Sequence, residues 1–517
     1  MIVVTAEQMR EMDRLTIQKF GTPSLTLMER AGKGIAQAIL GRFARSAKKG
    51  VLIVAGKGNN GGDGLVVARL LKQKRVPCEV ALLAKHDELS ADAARNLKAY
   101  VKAKGNLMEV DSGGLDVLRE KINHMGLLVD AILGTGMKSQ IRGLYAETIS
   151  LMNASGLPIV AVDIPSGLDA DKGTPLGVCI EAMLTVALGY AKLGEVMYPG
   201  LNFIGDLVVA DIGIAPGAVT EVGPATEILT DKEVGPMVPI RAPDSHKGTY
   251  GHVVVMAGSR GKTGAAILAS RAAMRAGAGM ATLAAARSLN DIVAGALVEV
   301  MTEPLRENPN EEIESLTDDE WRRLLERKTA MLFGPGIGVS DSTRSNLRWL
   351  IHNLDMPWVI DADGLNNLAF DLDRLKSAKV APILTPHPGE MARLIDKDTA
   401  AVNKDRIGVA RSFATGHRCY LVLKGARTVI ATPEGKIFIN PTGNPGMASA
   451  GMGDVLAGIL TALLGQRLSP QDAMKLGVYL HGFVGNRVAA EKGGIGMIAS
   501  DLIDGLPAGL RSLSAAA

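Results

Sequence analysis

The sequence predicts an α/β protein of two domains, each a parallel sheet covered by helices on both faces. Short continuous apolar runs alternate with helix-sized segments along most of the 517 residues, which is typical of buried parallel strands. The length exceeds the roughly 100–200 residues of an average domain. A stretch with five prolines and no sustained periodicity, residues 215–247, separates two such series. We therefore expect domains at residues 1–220 and 235–517.

The first series begins with a capping box at residues 5–8, before an amphipathic helix, and a second helix follows over residues 25–40. The predicted strands of this half are residues 51–55, 79–84, 127–133, 158–162, 183–188 and 207–210. In the second half they are residues 252–257, 280–285, 330–333, 358–360, 381–384 and 420–423, followed by a hairpin (428–432 and 436–439) and an apolar helix over 451–464.

Composition excludes several function classes. The 57 Lys and Arg residues nearly balance the 54 Asp and Glu residues, for a net charge of +3, which argues against a nucleic-acid or anionic membrane partner. Aromatic residues make up only 3%, so base-stacking surfaces are not indicated. Three scattered cysteines, no signal peptide and no apolar run of membrane-spanning length predict a cytoplasmic protein.

A glycine-rich motif joins the first predicted strand to a helix. Residues 56–64 read Gly-Lys-Gly-Asn-Asn-Gly-Gly-Asp-Gly and contain the G-x-G-x-x-G spacing that brings backbone close to a pyrophosphate. Dinucleotide sites also need an acidic residue at the end of the next strand, whereas Glu79 lies at the start of its run. A tight strand-to-helix turn is the alternative interpretation.

Two further strand ends of the first half carry polar residues. Asp130 precedes a Gly-Thr-Gly loop, and Asp163 and Ser166 belong to the segment Asp-Ile-Pro-Ser-Gly. Ligands bind at the carboxyl ends of parallel strands, where Asn60 also lies, and these oxygen donors suit a hard cation. Capping and turn roles for the two aspartates are the alternative.

These three motifs closely resemble the NAD(P)H-hydrate epimerases, over most of residues 1–215. The resemblance implies a Rossmann-like three-layer αβα domain that interconverts the R and S epimers of hydrated NADH and NADPH (NADHX and NADPHX). It implies potassium bound by Asn60, Asp130 and Ser166, and Asp163 as the leading acid/base, with Lys138 and Lys192 as secondary candidates. The implied substrate contacts are Asn59, Asn60, Gly61, Gly62, Asp63, Gly134, Thr135, Gly136, Met137, Lys138, Ser139, Gln140 and Asp163.

The second half has its own motifs at predicted strand ends. Residues 334–338 read Gly-Pro-Gly-Ile-Gly, and His387 is held between two prolines in Thr-Pro-His-Pro-Gly-Glu. The alternative interpretation of His387 is that it caps a loop and does not contact a ligand. Asp454 lies in the first turn of a helix entered through glycines, where free N–H groups attract a phosphate and a carboxylate can act on a nearby hydroxyl. The alternative for Asp454 is that its carboxylate only compensates the helix dipole. The chain has no P-loop motif, which disfavours a P-loop NTPase.

The segments at 245–251, 387–390 and 451–454 resemble the ADP- or ATP-dependent NAD(P)H-hydrate dehydratases, which have a ribokinase-like αβα fold, over residues 235–510. The resemblance implies ADP as co-substrate with Mg²⁺, and dehydration of the S epimer to NAD(P)H with release of AMP and phosphate. Asp454 becomes the main catalytic candidate. The implied substrate contacts are Ala265, Gly336, His387 and Asp454, and the implied nucleotide contacts are Lys424, Gly425, Ala426, Arg427, Thr428 and Gly453.

Together the halves predict a bifunctional enzyme that repairs hydrated cofactors and forms a homo-oligomer. One rival hypothesis is a hydroxymethylpyrimidine or hydroxyethylthiazole kinase fused to a regulatory domain. It shares the glycine-rich helix start but not the motifs at 245–251 and 385–390. A second rival treats the first half as a binding module, which a missing Asn60 or Asp163 would have favoured; both are present.

Overall fold

The computed structural model describes residues 1–515 and divides the chain into two compact units, Ile2–Pro224 and the residues from Ala225 onward together with Met1. Each unit is built on a sheet whose strands are mainly parallel, so the predicted α/β class is confirmed. Within residues 1–515, no helix has both the length and the apolar character needed to cross a membrane.

The N-terminal unit has a seven-stranded parallel sheet with the order β4-β3-β2-β5-β6-β7-β9, and a separate parallel pair, β1 and β8. Its strands are β1 (Val3–Val4), β2 (Val51–Ala55), β3 (Cys78–Leu82), β4 (Asn106–Glu109), β5 (Leu127–Ala131), β6 (Ile159–Val162), β7 (Leu184–Leu188), β8 (Ala191–Lys192) and β9 (Asp206–Ala210). Its helices are α1 (Ala6–Gln18), α2 (Ser24–Arg42), α3 (Ala44–Lys48), α4 (Asn59–Gln73), α5 (Ala91–Lys102), α6 (Leu115–Asn123), α7 (Gly143–Ala154), α8 (Leu193–Val196) and α9 (Pro216–Val222).

The central strands of this sheet account for the continuous apolar runs in the sequence. Every residue of β2, β5, β6 and β7 is buried, because helices cover both faces of the sheet. Helix α1 begins at the predicted capping box, in which Thr5 Oγ1 accepts a hydrogen bond from Gln8 N at 3.1 Å and Gln8 Oε1 accepts one from Thr5 N at 3.0 Å.

The C-terminal unit has a ten-stranded sheet with the order β10-β19-β18-β17-β16-β15-β14-β11-β12-β13. The strands are β10 (Thr226–Ile228), β11 (His252–Met256), β12 (Met280–Ala286), β13 (Met301–Leu305), β14 (Ala330–Phe333), β15 (Trp358–Ile360), β16 (Ile383–Leu384), β17 (Tyr420–Leu423), β18 (Val429–Ala431) and β19 (Ile437–Ile439). The helices are α10 (Asp231–Val234), α11 (Thr263–Arg275), α12 (Asn290–Ala296), α13 (Asp318–Leu325), α14 (Asp341–Asn353), α15 (Asp363–Leu368), α16 (Pro388–Leu394), α17 (Thr399–Lys404), α18 (Arg406–His417), α19 (Met452–Gly465), α20 (Pro470–Lys492) and α21 (Ala499–Ala515).

Strand β18 pairs antiparallel with both β17 and β19, which confirms the predicted hairpin. Helix α19 contacts α11, α20 and the strands β14 and β15, and twelve of its fourteen residues are buried. The long apolar run at 451–464 is therefore the central helix of this unit's core.

The structure differs from the sequence prediction at the sheet edges. Strands β4, β10 and β13 are absent from the prediction, because the outer strands β4 and β13 are partly exposed and lack continuous apolar runs. The proline-containing stretch 215–247 is also not featureless. Pro216 begins α9, and β10 pairs in parallel with β19 as an edge strand of the C-terminal sheet.

Candidate active sites

A cleft of about 650 Å³ opens in the N-terminal unit at the carboxyl ends of β2, β5, β6 and β7. Its walls include the first turn of α4 and the loop after β5, together with residues of α1 and α2. Predicted site residues that line it are Asn59, Asn60, Asp63, Gly134, Thr135, Gly136, Met137 and Asp163. The cleft therefore lies where ligands bind to parallel sheets, at the carboxyl ends of the strands.

Asn60 and Ser166 meet at the backbone of Leu133, and Ser166 connects them to Asp130. The carbonyl of Leu133 accepts hydrogen bonds from Asn60 Nδ2 at 3.0 Å and from Ser166 Oγ at 3.2 Å. Ser166 donates from Oγ to Asp130 Oδ1 at 2.5 Å and from its backbone N to Oδ2 at 2.7 Å. Asn60 Oδ1 is buried without a hydrogen-bond partner among residues 1–515. Burial raises the pKa of Asp130 to about 6, although the hydrogen bonds from Ser166 oppose the rise.

Asp163 forms an ion pair with the buried ammonium of Lys192. The Lys192 side chain has 0% exposure and the Asp163 side chain 16%. Leu188 N also donates to Asp163 Oδ1 at 3.0 Å, and Asp163 has a φ of 66°, in the left-handed region that L side chains rarely adopt. Burial by itself lowers the pKa of Lys192, but Asp163 and Glu195 raise it above its ordinary value. Lys192 is therefore held as an ammonium beside Asp163.

Three more carboxyl groups share this region with the ion pair. Burial raises the pKa of Asp13 to about 6, and the charge of Asp163 adds to the rise. Burial raises the pKa of Asp63 well above its usual value, with further contributions from Asp163 and Asp13. Burial also raises the pKa of Glu195 to about 8 despite the opposing charge of Lys192. One lysine cannot neutralise all these groups, so some of them hold protons near neutral pH.

The glycines of the first motif serve the protein's own packing. A Cβ on Gly56 would lie 2.0 Å from Ile132 O, and a Cβ on Gly61 would lie 1.9 Å from Gly56 O. Residues 59–63, expected in a strand-to-helix connection, already form the first turn of α4. Glycine is thus required at these two positions because segments of the backbone approach each other closely. Contact of Gly61 and Gly62 with substrate stays a prediction.

Only the first residues of the loop after β5 line the cleft. Gly134 to Met137 line the cleft, whereas Lys138, Ser139 and Gln140 continue the loop as exposed residues. The structure does not bring these last three to Asp163, so their substrate contacts remain predictions.

In the C-terminal unit, one lysine lies among carboxylates at neighbouring strand ends. Lys424 follows β17, and its Nζ lies 2.9 Å from Asp361 Oδ1 and 3.7 Å from Glu390 Oε2. Asp361 follows β15 and accepts a hydrogen bond from Thr385 Oγ1, after β16, at 2.7 Å. Burial lowers the pKa of Lys424, but Asp361 and Glu390 more than reverse the effect, so its pKa is raised.

Asp454 belongs to this cluster through the first turn of α19. Helix α19 starts after Gly451, which has a φ of 86° and provides no side-chain cap, so its first N–H groups are free for a ligand. Burial raises the pKa of Asp454 to about 7, and the charge of Asp361 adds to the rise while Lys424 opposes it. A Cβ on Gly453 would lie 3.3 Å from Lys424 Nζ, so Gly453 and Lys424 are neighbours.

The other predicted substrate contacts of this half, Ala265, Gly336 and His387, fall into two places. A Cβ on Gly336 would lie 3.3 Å from Ala265 Cβ, so these two are adjacent. His387 is the N-cap of α16, and its Nδ1 accepts hydrogen bonds from Gly389 N at 3.0 Å and Glu390 N at 3.3 Å. The capping role held open for His387 is therefore real, and its Nε2 lies 3.6 Å from Glu390 Oε1.

Sequence reasoning missed residues whose roles depend on long-range contacts. Asp361 and Glu390 stood inside motifs without a role assigned to them, whereas Asp13 had one available signal, a carboxylate beside Met9 and Met12 on the apolar side of an amphipathic helix. Arg406 had none: its guanidinium donates to the carbonyls of three residues of another segment, Leu423, Lys424 and Ala426.

Comparison with known proteins assigns a class to each half. Residues 24–194 match the family described as YjeF-related protein N-terminus, and residues 253–508 match the family described as NAD(P)H-hydrate dehydratase. A solved structure of the ADP/ATP-dependent NAD(P)H-hydrate dehydratase from Bacillus subtilis, co-crystallised with ATP and Mg²⁺, is 30% identical. It covers 56% of this chain and 98% of its own, with a TM-score of 0.48.

Relatives with both halves extend over the whole chain. The bifunctional NAD(P)H-hydrate repair enzyme Nnr of Moorella thermoacetica is 43% identical over 519 residues, covering 99% of this chain and 97% of its own. The enzyme of the same name from Escherichia coli K12 is 36% identical, covering 97% and 92%. The chain belongs to the family of bifunctional NAD(P)H-hydrate repair enzymes. The family predicted from the motifs is confirmed, and the rival hypotheses of a vitamin-precursor kinase and of a binding module are set aside.

Proposed function

We propose that the N-terminal unit interconverts the R and S epimers of hydrated NADH and NADPH, and that the C-terminal unit dehydrates the S epimer with ADP, giving NAD(P)H, AMP and phosphate. The observation that carries the proposal is common to both units. Each places a lysine, the buried Lys192 or the largely buried Lys424, among carboxyl groups that include at least one of raised pKa, at the carboxyl edge of its sheet. Such groups have the properties that proton transfer near neutral pH requires.

The chemistry of the N-terminal unit follows from the substrate. Carbon C6 of the hydrated ring carries a hydroxyl and is bonded to the ring nitrogen N1, so it is a hemiaminal carbon. Inverting it by ring opening requires a proton to leave the hydroxyl and another to reach N1. Asp163, the ion-pair partner of Lys192, is the group proposed to accept the hydroxyl proton. Its strained backbone and its hydrogen bond from Leu188 fix the carboxylate at the cleft wall.

Potassium is the cation proposed for Asn60, Asp130 and Ser166. The unpartnered Asn60 Oδ1 is a free donor oxygen, and the buried Asp130 lacks a cationic side chain among its hydrogen-bond partners. An amide, a hydroxyl and one carboxylate suit a weakly charged, hard cation. Bound there, the ion would supply positive charge beside the cleft and fix the loop that follows β5.

In the C-terminal unit, Asp454 is the proposed base. Its carboxylate accepts the proton of the C6 hydroxyl as that oxygen bonds to the β-phosphorus of ADP, and the bond from phosphorus to the AMP oxygen breaks with its electron pair on AMP. The C6–O bond then breaks with its electrons on phosphate, N1 supplies electrons to C6, and loss of a C5 proton forms the C5=C6 bond. The free N–H groups at the start of α19 are suited to the transferred phosphate.

Magnesium is the proposed partner of the nucleotide. Asp361 Oδ2 makes no side-chain hydrogen bond within residues 1–515, and Lys424 is the cation paired with both Asp361 and Glu390. In the same residues, no group of three or more His, Cys, Asp or Glu side chains is arranged to hold a metal alone. Mg²⁺ normally combines one or two carboxylates with substrate phosphates, so Asp361 would hold it together with ADP.

Hydrated NADH and ADP provide the direct test. Incubation of both epimers with the protein, ADP and Mg²⁺ should restore the absorbance of reduced nicotinamide completely, with one AMP and one phosphate per NADH. Omission of ADP should abolish the absorbance change but leave epimer interconversion, which chromatography of the two epimers measures. Absence of both reactions would overturn the proposal.

Two coarser predictions accompany this function. The three cysteines Cys78, Cys179 and Cys419 are buried and unpaired, which supports the cytoplasmic location proposed from the sequence. Self-association into a homo-oligomer stays a prediction that light scattering of the purified protein would test.

A further inference from the structure

The cleft of the N-terminal unit contains an aspartate that no motif identified. Asp13 lies on α1 and lines the cleft together with Asp63 and Asp163. Its Oδ1 atom is buried yet has no hydrogen-bond partner within residues 1–515. A buried carboxyl oxygen without a donor is costly, so a group retained there in that state calls for a functional explanation.

The charges around Asp13 come from three other elements. Asp63 lies on α4, Asp163 follows β6, and Lys192 closes β8. Lys192 is paired with Asp163, and within residues 1–515 neither Asp13 nor Asp63 forms an ion pair. The other charged side chains of the cleft wall are Arg10, Lys57 and Asp92.

The three aspartates have different surroundings. Asp163 forms an ion pair with Lys192. Burial raises the pKa of Asp63 well above its usual value, and it raises the pKa of Asp13 to about 6. Asp13 is therefore the member of the set that exchanges a proton near neutral pH.

We propose that Asp13 is the second proton-transfer residue of epimerisation, facing Asp163 across the hydrated ring. This inference rests on the function proposed for the N-terminal unit. Asp163 accepts the proton of the C6 hydroxyl, and the C6–N1 bond breaks with its electron pair on N1. Asp13, in its acid form, protonates N1, and C6 becomes an aldehyde carbon.

The second half of the reaction reverses these transfers. Rotation about the C5–C6 bond presents the other face of the aldehyde to N1, whose electron pair forms the C6–N1 bond again. The N1 proton returns to Asp13, and the aldehyde oxygen regains its proton from Asp163. No electrons leave the substrate and both aspartates recover their initial states, so the step needs no co-reactant.

Replacement of Asp13 in the full-length protein tests the assignment. Asp13→Asn should lower kcat for epimerisation by about 10²–10⁴-fold, which is the usual contribution of a positioned acid or base, with KM changed less than about threefold. ADP-dependent consumption of the S epimer should be unchanged. The matched control is Glu11→Gln on the same helix, because Glu11 is half-exposed and pairs with Arg14 instead of the cleft.

The pH profile separates proton transfer from a structural role. Because Asp13 must be protonated to act, kcat/KM for epimerisation by the wild-type protein should fall as pH rises above about 6. Asp13→Asn should lose this limb, whereas Asp13→Glu should keep it with part of the activity. Near-normal epimerisation in Asp13→Asn, or an unchanged limb in that variant, would overturn the inference. If Asp13→Asn fails to fold, Asp13→Glu decides: an Asp13→Glu protein that folds but does not epimerise would also overturn the inference. A wild-type protein unable to epimerise would instead overturn the function proposed for this unit.

Discussion

The ammonium nitrogen of Lys424 lies 2.9 Å from Oδ1 of Asp361, and a third group, Asp454, responds to both charges. Burial and the charge of Asp361 raise the pKa of Asp454 to about 7, while Lys424 lowers it. This arrangement gives Asp454 the basicity that a hydroxyl group requires, yet leaves a large fraction ionised at neutral pH.

We expect Asp454→Asn to lower the turnover of ADP-dependent dehydration by about 10²–10⁴-fold, because the amide cannot accept the C6 hydroxyl proton. ADP should still bind, as calorimetry of the variant would show, and epimerisation should be unchanged. Asp472→Asn is a suitable control, since Asp472 is held by Ser469 at the start of α20. Near-normal turnover in Asp454→Asn would remove this residue from the mechanism.

The pH dependence of dehydration should report the same carboxylate. As the base, Asp454 acts only when ionised, so kcat/KM should increase with pH up to about 7 and then level off. Lys424→Gln should move this limb to higher pH, because removing the cation leaves Asp361 and Glu390 to raise the pKa of Asp454 unopposed. A limb that stays in place in Lys424→Gln would contradict the electrostatic coupling.

The residues predicted from the sequence lie mostly at or near the ends of buried apolar strands, or begin a helix after glycines. Asp163 and Lys424 each come immediately after a buried strand, so they could be predicted because ligands bind at the carboxyl ends of parallel strands. Asp13 could not be assigned in this way, because its partners lie more than 40 residues away and the helical pattern records only its apolar neighbours. Edge strands such as β10 were missed for a related reason, since three residues contain too little periodicity.

Arg406 should position the nucleotide loop through the backbone. Its guanidinium binds the carbonyls of Leu423, Lys424 and Ala426, so Arg406→Gln should raise KM for ADP about tenfold, in line with the loss of one or two hydrogen bonds at roughly 1 kcal/mol each. Turnover at saturating ADP should change less. Arg411→Gln is the matched control, because Arg411 on the same helix binds Gly435 O and Thr226 Oγ1 instead. Equal effects of the two substitutions would indicate a general loss of stability.

The proposed potassium site can be located with a heavier congener. Crystals grown with rubidium should show an anomalous peak within bonding distance of Asn60 Oδ1, Asp130 and Ser166, since Asn60 Oδ1 is an unpartnered oxygen and the other two supply a carboxylate and a hydroxyl beside it. Asn60→Ala should lose the peak and weaken epimerisation, whereas dehydration should remain. A water molecule in place of the peak, in rubidium and potassium alike, would contradict the site.

The two units should also fold as separate proteins. Each contains its own buried apolar clusters, and a single unit of this size buries enough surface for independent stability. We expect residues 1–224 to interconvert the epimers without nucleotide. Residues 225–517 should be more stable to denaturant than residues 235–517, because the shorter fragment lacks strand β10 and the ion pair between Glu233 and Lys475.

A mixture of epimers then tests the division of labour between these fragments. With ADP, residues 225–517 should consume the S epimer and stop near the point where it is spent, apart from slow spontaneous epimerisation. Addition of residues 1–224 should restore complete conversion, and addition of the same fragment carrying Asp163→Asn should not, because only the active epimerase regenerates the S epimer. Equal rates for both epimers with the C-terminal fragment alone would show that epimerisation does not reside in the N-terminal unit. If residues 225–517 fold but residues 1–224 do not, the boundary after Pro224 would be misplaced, whereas the assignment of dehydration to the second unit would stand.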